Sequence, residues 1–436
     1  MAAPINYKRR KGEKLQLEQE KITLENGFRI ILEHNPQAKS CSMGVWVGSG
    51  SCCEDAQNSG ISHFIEHMLF KGTLTRSSQE IARRADMMGG ELNAYTDREC
   101  TCFYTRTLPA DAYDGFELIA DMLTSPKLDS VDIELEKGVV TEEIAMYESN
   151  PAELCMDTFY LNAFPGCALG RNILGDRDTV ASFTADMQRE HMKNFYSPQR
   201  MVACFVGNFD RKRMLGLCQR YFSGLTAPAQ ETVLPDAEFR PGVFILKKRT
   251  EQNQVIIGFE SCRLTDNRRF VFQLVSSMLG GSASSRLFRS LREEQGLVYS
   301  VDSYISSYLT AGVFTVSMGV SPKSERKAVQ SAIKVLRDFP KTVTQQELEL
   351  ARSNYLAGML MSLESSSAVA GRCGTGELLL GGAMSEKELE RRIRAITLED
   401  VVSAAEELTD FSKACICAVG KTAGYKFYNK VVSGQK

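Results

Sequence analysis

Two stretches of this chain end alike. FTADMQREHMKNFYSPQRMVACFVG closes on Gly207, and ITLEDVVSAAEELTDFSKACICAVG closes on Gly420, 213 residues further on. Each reads as a helix, a short polar break and an apolar strand stopped by glycine. HMLFKGTLTRSSQEI and SSMLGGSASSRLFRS also share a shape at a comparable offset. A repeat of that size limits the chain to two related units, so we expect an α+β fold of two homologous domains. The join is expected in SGLTAPAQETVLPDAEFRPG (223–242), which has three prolines, two glycines and little periodicity. That sets domains at 1–226 and 241–436, with a linker at 227–240.

Local patterns fill in the halves. KITLENGFRIILEH (21–34) reads as a hairpin turning at Asn26–Gly27, and SMGVWVGSGS (42–51) as a strand. Residues 59–70 and 77–88 have helical apolar spacing, and CTCFYTRTLP (100–109) alternates as a strand does. Two helices follow, the second expected to stop at Pro151. QRMVACFVGNF (199–209) and GVFILKKRT, just past the join, read as strands.

Composition excludes several classes. The chain has 52 basic and 54 acidic residues among 436, so charge gives no argument for a nucleic acid or an anionic membrane as partner. The first 21 residues are basic without an apolar segment behind them, unlike a secretory signal. No run of 18 apolar residues occurs, so no membrane span is expected. A cytoplasmic protein fits best, with a mature organellar form as the alternative. Thirteen cysteines without paired CxxC spacing read as reduced, buried small hydrophobes. LGGSASS (279–285) and LLLGGAM lack the lysine and glycine spacing of a phosphate loop, so no nucleotide site is expected.

The chemistry concentrates in SGISHFIEHMLFKG (59–72), which holds two of the four histidines. On a helix, positions i, i+3 and i+4 share a face, so His63, Glu66 and His67 point one way. Two imidazoles one turn apart can reach one metal ion, and Glu66 then stands beside it without having to bind it. The plainer interpretation is a solvated helix face. The rest of ISHFIEHMLF is apolar, however, and buried histidines and carboxylates need partners or a metal. A catalytic zinc takes three protein ligands. His34, His191, Glu134, Glu136, Glu142 and Glu143 are all candidates for the third, with Glu136 and Glu143 two turns apart on one helix face.

HFIEH is the inverted zinc-protease pattern HxxEH. Over essentially its full length the chain resembles the M16 metallopeptidase family, that of the mitochondrial processing peptidase β subunit, insulin-degrading enzyme and their bacterial relatives. The resemblance extends to ELEKGVVTEEIAMYE, where it implies Glu143 as third ligand and Glu136 as the acid behind a ligand. GGELNAYTDRECTCFYTRTL resembles the family's substrate-edge segment, with Asn93, Ala94 and Thr96 in its NAxT core. There Asn93 and the strand after it would pair with an extended peptide. LREEQGLVYSVDS resembles the signature of the family's second half and implies substrate or oxyanion roles for Arg292 and Tyr299.

The resemblance implies a zinc metalloendopeptidase acting on peptides or unfolded segments, with Glu66 activating water on one Zn²⁺ per chain. Each domain would be an antiparallel-rich β-sheet packed with helices, the two forming half of a clam-shell. A second chain would complete it, preferably as a homodimer, otherwise as a heterodimer with a related chain. A bacterial cytoplasmic member is favoured. The alternative is a non-catalytic structural or partner subunit of an M16-type complex.

Overall fold

A computed structural model of the chain describes residues 19–226 and 234–434. Residues 1–18, read above as lacking a secretory signal, and residues 227–233 of the expected linker lie outside the described residues. The first half runs β1 (Gln19–Thr23), β2 (Arg29–His34), β3 (Cys41–Val47), α1 (Ile61–Leu69), α2 (Ser78–Met87), β4 (Glu91–Thr96), β5 (Thr101–Thr107) and α3 (Ala112–Thr124). It continues through α4 (Ser130–Ser149), α5 (Pro151–Ala163), α6 (Arg177–Ser182), α7 (Ala185–Phe195), β6 (Met201–Gly207) and α8 (Arg211–Phe222). The second half runs β7 (Gly242–Lys247), β8 (Asn253–Glu260), α9 (Arg269–Leu279), a π-helical segment (Phe288–Glu294), β9 (Val298–Ser307) and β10 (Gly312–Val320). Then come α10 (Glu325–Thr342), α11 (Gln345–Ser362), α12 (Ser366–Leu380), α13 (Glu386–Ala395), α14 (Leu398–Glu407), β11 (Cys415–Gly420) and α15 (Tyr425–Val432).

These strands form two mixed sheets, ordered β1-β2-β6-β3-β5-β4 and β7-β11-β8-β10-β9. Apart from β1 the two orders superimpose. Each has one parallel pair, β2 with β6 and β7 with β11, and is otherwise antiparallel. The repeat therefore belongs to the fold as well as to the chain. Gly207 and Gly420 end β6 and β11 with φ of 122° and 127°, where a side chain is strained. A Cβ on either would also come within 2.3 Å of an oxygen, that of Ser40 or the side chain of Asn253. Thr184 caps α7 on the N–H of Met187, and Thr397 caps α14 on that of Asp400.

Each sheet packs one face against helices of its own half. Strands β3, β6 and β11 are buried at every residue, so both faces of each sheet need cover. The second cover is exchanged between the halves. Helix α5 lies on β7, β8 and β11, packing Cys155 and Phe159 against Ile256 and Cys417. Helix α12 lies on β3 and β6, packing Val369 and Cys373 against Trp46 and Cys204. Two glycines allow the close approach: a Cβ on Gly258 would meet Phe159 at 2.3 Å, and one on Gly374 would meet Trp46 at 2.3 Å. Buried Glu377 of α12 pairs with Lys21 at 2.5 Å and Arg29 at 3.4 Å. The strands of the two sheets thus lie on either side of residues 227–240, while α5 and α12 each cover the other half's sheet.

All thirteen cysteines are free thiols, and only Cys167 is not buried. Pro151 differs from the expectation. It does not merely stop α4, which ends at Ser149; it occupies the first turn of α5, where its missing N–H costs nothing, and Asn150 caps that helix on the N–H of Ala152. Among the described residues no helix is long and apolar enough to cross a membrane.

Candidate metal centre

Helix α1 begins at Gly60, whose φ of 92° suits glycine. Ile61, Phe64, Ile65, Met68 and Leu69 are buried, which fixes the helix rotation and turns His63, Glu66 and His67 towards α4 and β4. On α4, buried Ile133, Val140 and Ile144 set the rotation that brings Glu136 and Glu143 to α1.

Three donors converge. His63 Nε2 and His67 Nε2 lie 3.7 and 3.5 Å from Glu143 Oε2, and one donor atom from each residue falls within 4.8 Å of the others. Tetrahedral ligands at zinc bond lengths stand about 3.3 Å apart, so the separations are close to what one ion of that size requires. The two-nitrogen, one-oxygen set suits zinc, and this His/His/Glu cluster is able to coordinate a metal ion. Glu136 Oε1 lies 2.8 Å from His67 Nδ1, leaving Nε2 turned to Glu143, and Lys71 pairs with the other Glu136 oxygen.

Burial, and then the neighbouring His67, hold His63 down to about 4. Burial also opposes charge on His67, but hydrogen bonds to Glu136 and Glu143 outweigh it and push that ring up to about 9. The His67 bond keeps Glu143 below the usual carboxylate range. Glu136 is below it too, because His67 and Lys71 together overcome its burial. Glu66 is raised by burial against the bond it accepts from Thr96.

The other third-ligand candidates lie elsewhere. Glu134 pairs with Lys137 at 2.7 Å, Glu142 is exposed, and His34 packs edge-on against Phe209. His191 hydrogen-bonds Ser49 at 2.9 Å and Ser62 at 3.3 Å behind α1.

Asn93, Ala94 and Thr96 all lie on β4, which pairs only with β5 among the described residues. This corrects the expected edge: β5, the strand following Asn93, is enclosed between β3 and β4, so its backbone groups are spent, and the free edge is β4 itself. Asn93 is exposed, and its side-chain oxygen accepts the N–H of Ala94. The Thr96 hydroxyl donates to Glu66 Oε2 at 2.5 Å, a contact that sequence spacing gave no means of finding. Lys71 was also missed, although it stands one turn beyond His67.

Arg292 and Tyr299 sit in the second half. The guanidinium lies 5.8 Å from the Tyr299 ring centre, and Tyr299 is 71% exposed. It is the extra residue of a bulge in β9, with Val298 facing Val320 and Ser300 facing Gly319, which turns its ring outward. Among the described residues neither contacts the His63 cluster by hydrogen bond or ion pair.

The repeat supplies an internal comparison. Aligning the ends of α1 and α9 on Met68-Leu69 and Met278-Leu279 sets Gln273, Ser276 and Ser277 against His63, Glu66 and His67. Aligning α4 with α11 on Ile133 and Leu348 sets Ala351 and Gly358 against Glu136 and Glu143. Among the described residues the cluster occurs in the first half alone.

Two α+β domains of repeated topology, one bearing a His/His/Glu cluster able to hold a metal ion, define a bilobed architecture. The family models agree: residues 29–177 match "Insulinase (Peptidase family M16)" and residues 182–355 match "Peptidase M16 inactive domain". The chain is 36% identical to the uncharacterized zinc protease YmxG of Bacillus subtilis over 92% of its own length and 98% of that protein. It is 35% identical to an uncharacterized zinc protease of Streptomyces coelicolor, covering 89% and 86%. In fold it resembles a protease from Helicobacter pylori, with a TM-score of 0.86 at 22% identity over 92% of this chain and 99% of that one. A chain of complex III2 from Candida albicans has a TM-score of 0.81 at 20% identity over 94% and 99%. The chain belongs to the M16 (insulinase) zinc-protease family.

Proposed function

We propose that this protein is a zinc-dependent metalloendopeptidase that hydrolyses peptides or unfolded polypeptide segments. The reading rests on one observation: a three-donor cluster has beside it a carboxylate, Glu66, that is held by Thr96 and is not one of the donors. His63, His67 and Glu143 would hold the ion, and Glu136 would fix the His67 ring. Zinc bound there would polarise a peptide carbonyl and make water a stronger acid. Glu66 takes the proton of the attacking water and returns it to the leaving amine. The Thr96 bond holds one Glu66 oxygen and leaves the other for that water.

The open edge of β4 takes an extended substrate by backbone pairing, with Asn93 and Ala94 along it. This mode favours unfolded segments over folded proteins. Arg292 would hold the substrate main chain, and Tyr299 would donate to the developing oxyanion. Their place on the other half implies a closed chamber. A homodimer is the preferred working unit, with a heterodimer of related chains second and a bacterial cytoplasm the expected setting. Relatives named as zinc proteases favour the enzyme. The fold likeness to a complex III2 chain is what a non-catalytic structural subunit would also give, and the intact donor set weighs against that second reading.

The test pairs metal content with turnover of a peptide library by the wild type and Glu66→Gln. Both are expected to carry stoichiometric zinc, and only the wild type to cleave. Cleavage by the variant would remove Glu66 from its role; zinc without cleavage in the wild type would favour the structural subunit.

A further inference from the structure

His191 was a candidate ligand, and the geometry gives it different work. Its ring is 4% exposed and bonds two hydroxyls, that of Ser49 just past β3 and that of Ser62 in the first turn of α1. One imidazole on α7 thus ties together α7, the end of β3 and the residue directly before His63. The same turn is gripped from a second side. Gly60 has no side chain with which to cap α1, and the buried carboxylate of Glu54 does so instead, accepting the N–H of Gly60 at 2.7 Å and that of Ser62 at 2.9 Å. Burial, with Arg200 next in effect, holds His191 down to about 3, so the ring is neutral and is not a buried charge.

This arrangement is costly. His191 Nδ1 is buried without a partner, which a core normally avoids. The second half shows that a cheaper solution fits the same place. The aligned endings of the two halves set Ala404 of α14 against His191, and the α1–α9 alignment sets Phe272 against Ser62. Phe272 and Ala404 are buried, at 0% and 3% exposed, and α9 packs on α14 as α1 packs on α7. Where there is no metal cluster, the junction is plain apolar packing. The polar version occurs behind the helix that carries two of the three donors, and hydrogen bonds fix helix rotation and depth more sharply than apolar contact does.

We propose that His191, acting through Ser62 and with Glu54 on the same turn, is a positioning residue that sets His63 for metal binding. The inference rests on the metal-centre reading given above. It is tested on the full chain by zinc affinity in chelator competition, by the visible absorption of the cobalt(II)-substituted protein, and by the melting temperature without metal. His191→Phe, which makes the junction apolar without reproducing the Phe272–Ala404 pair of the second half, is expected to fold and to keep or raise its metal-free melting temperature. It should bind zinc roughly tenfold more weakly and shift the cobalt spectrum, as loss of an outer partner of a metal ligand does. His191→Gln, whose amide can still bond the hydroxyls, should restore most of the affinity. Ser62→Ala makes the same test with a smaller change should the phenylalanine prevent folding. Wild-type zinc affinity and cobalt spectrum in a folded His191→Phe or Ser62→Ala protein would overturn the proposal, as would a His191→Gln protein no better than His191→Phe. Failure of the wild type itself to bind zinc would instead overturn the metal-centre reading.

Discussion

The two halves of this molecule solve one folding problem and part over one chemical one. Helix α4 and its counterpart α11 share a buried Ile133 or Leu348 and the same local ion pair, Glu134 with Lys137 and Glu349 with Arg352, each at 2.7 Å. Sheet order, the closing glycines and the caps on α7 and α14 repeat as well. Yet His63, Glu66, His67, Glu136 and Glu143 stand against Gln273, Ser276, Ser277, Ala351 and Gly358. The second half shows that the fold needs none of the five. In the first half they crowd three carboxylates and two imidazoles into a partly buried space, which only a ligand or a reaction rewards.

The largest expected effect comes from exchanging residues between the halves. Glu143→Gly, copying Gly358, should lower zinc affinity by at least about a hundredfold and abolish peptide cleavage, while Gly358→Glu leaves zinc stoichiometry and activity unchanged, because a lone carboxylate there has no imidazole partners. Metal analysis and a peptide assay decide it, and a gain of zinc in Gly358→Glu would show that the second half is closer to a site than its residues suggest. Next comes Glu136→Ala, copying Ala351. Loss of the bond to His67 Nδ1 should weaken zinc binding by roughly 10–100-fold. Exposed Glu142→Gln, on the same helix, should leave it unchanged; equal losses in both would mean that α4 acts through its overall charge.

The likeness of the halves was legible because it rests on periodicity and turn chemistry. The spacing of His63, Glu66 and His67 was legible for the same reason, being a property of one helix. The family resemblance, more than any pattern in the residues, singled out Glu143 from five other candidates. Nothing local could show that α5 and α12 exchange places, since helix α12 has apolar residues all round and does not say which sheet it covers. The contacts of Thr96 with Glu66 and of His191 with Ser62 join residues 30 and 129 positions apart. Each is set by how elements pack, so each appears only once the packing is known.

The exchange of helices offers a more even comparison. Gly258→Ala would drive a methyl group into Phe159, and Gly374→Ala would drive one into Trp46, both from 2.3 Å. Each should destabilise the protein by about 1–3 kcal/mol in denaturant melts, by overpacking a seam that has no room to give. If the two seams are equivalent, the losses match. A tolerated Gly258→Ala beside a damaging Gly374→Ala would show that the halves are clasped mainly by α12.

The smallest effect concerns the point where the two hairpin loops meet. Glu99, between β4 and β5, accepts the N–H of Leu309, between β9 and β10, at 2.7 Å. Burial, partly offset by that bond, raises its carboxyl to about 7 from an ordinary 4.5. Between those values the folded protein keeps a proton that the unfolded chain has released, so the contribution of Glu99 to stability falls as pH rises and levels off above about 7. Glu99→Gln keeps an acceptor for Leu309 and removes the titration. Its stability relative to the wild type should therefore rise from pH 4.5 to pH 7.5, by on the order of 1–3 kcal/mol. Buried Glu54 is also raised to about 7, but it is common to both proteins and cancels in the difference. Parallel stability curves for wild type and variant would mean that water reaches Glu99 in solution and that the loops of the two halves meet less tightly than their sheets do.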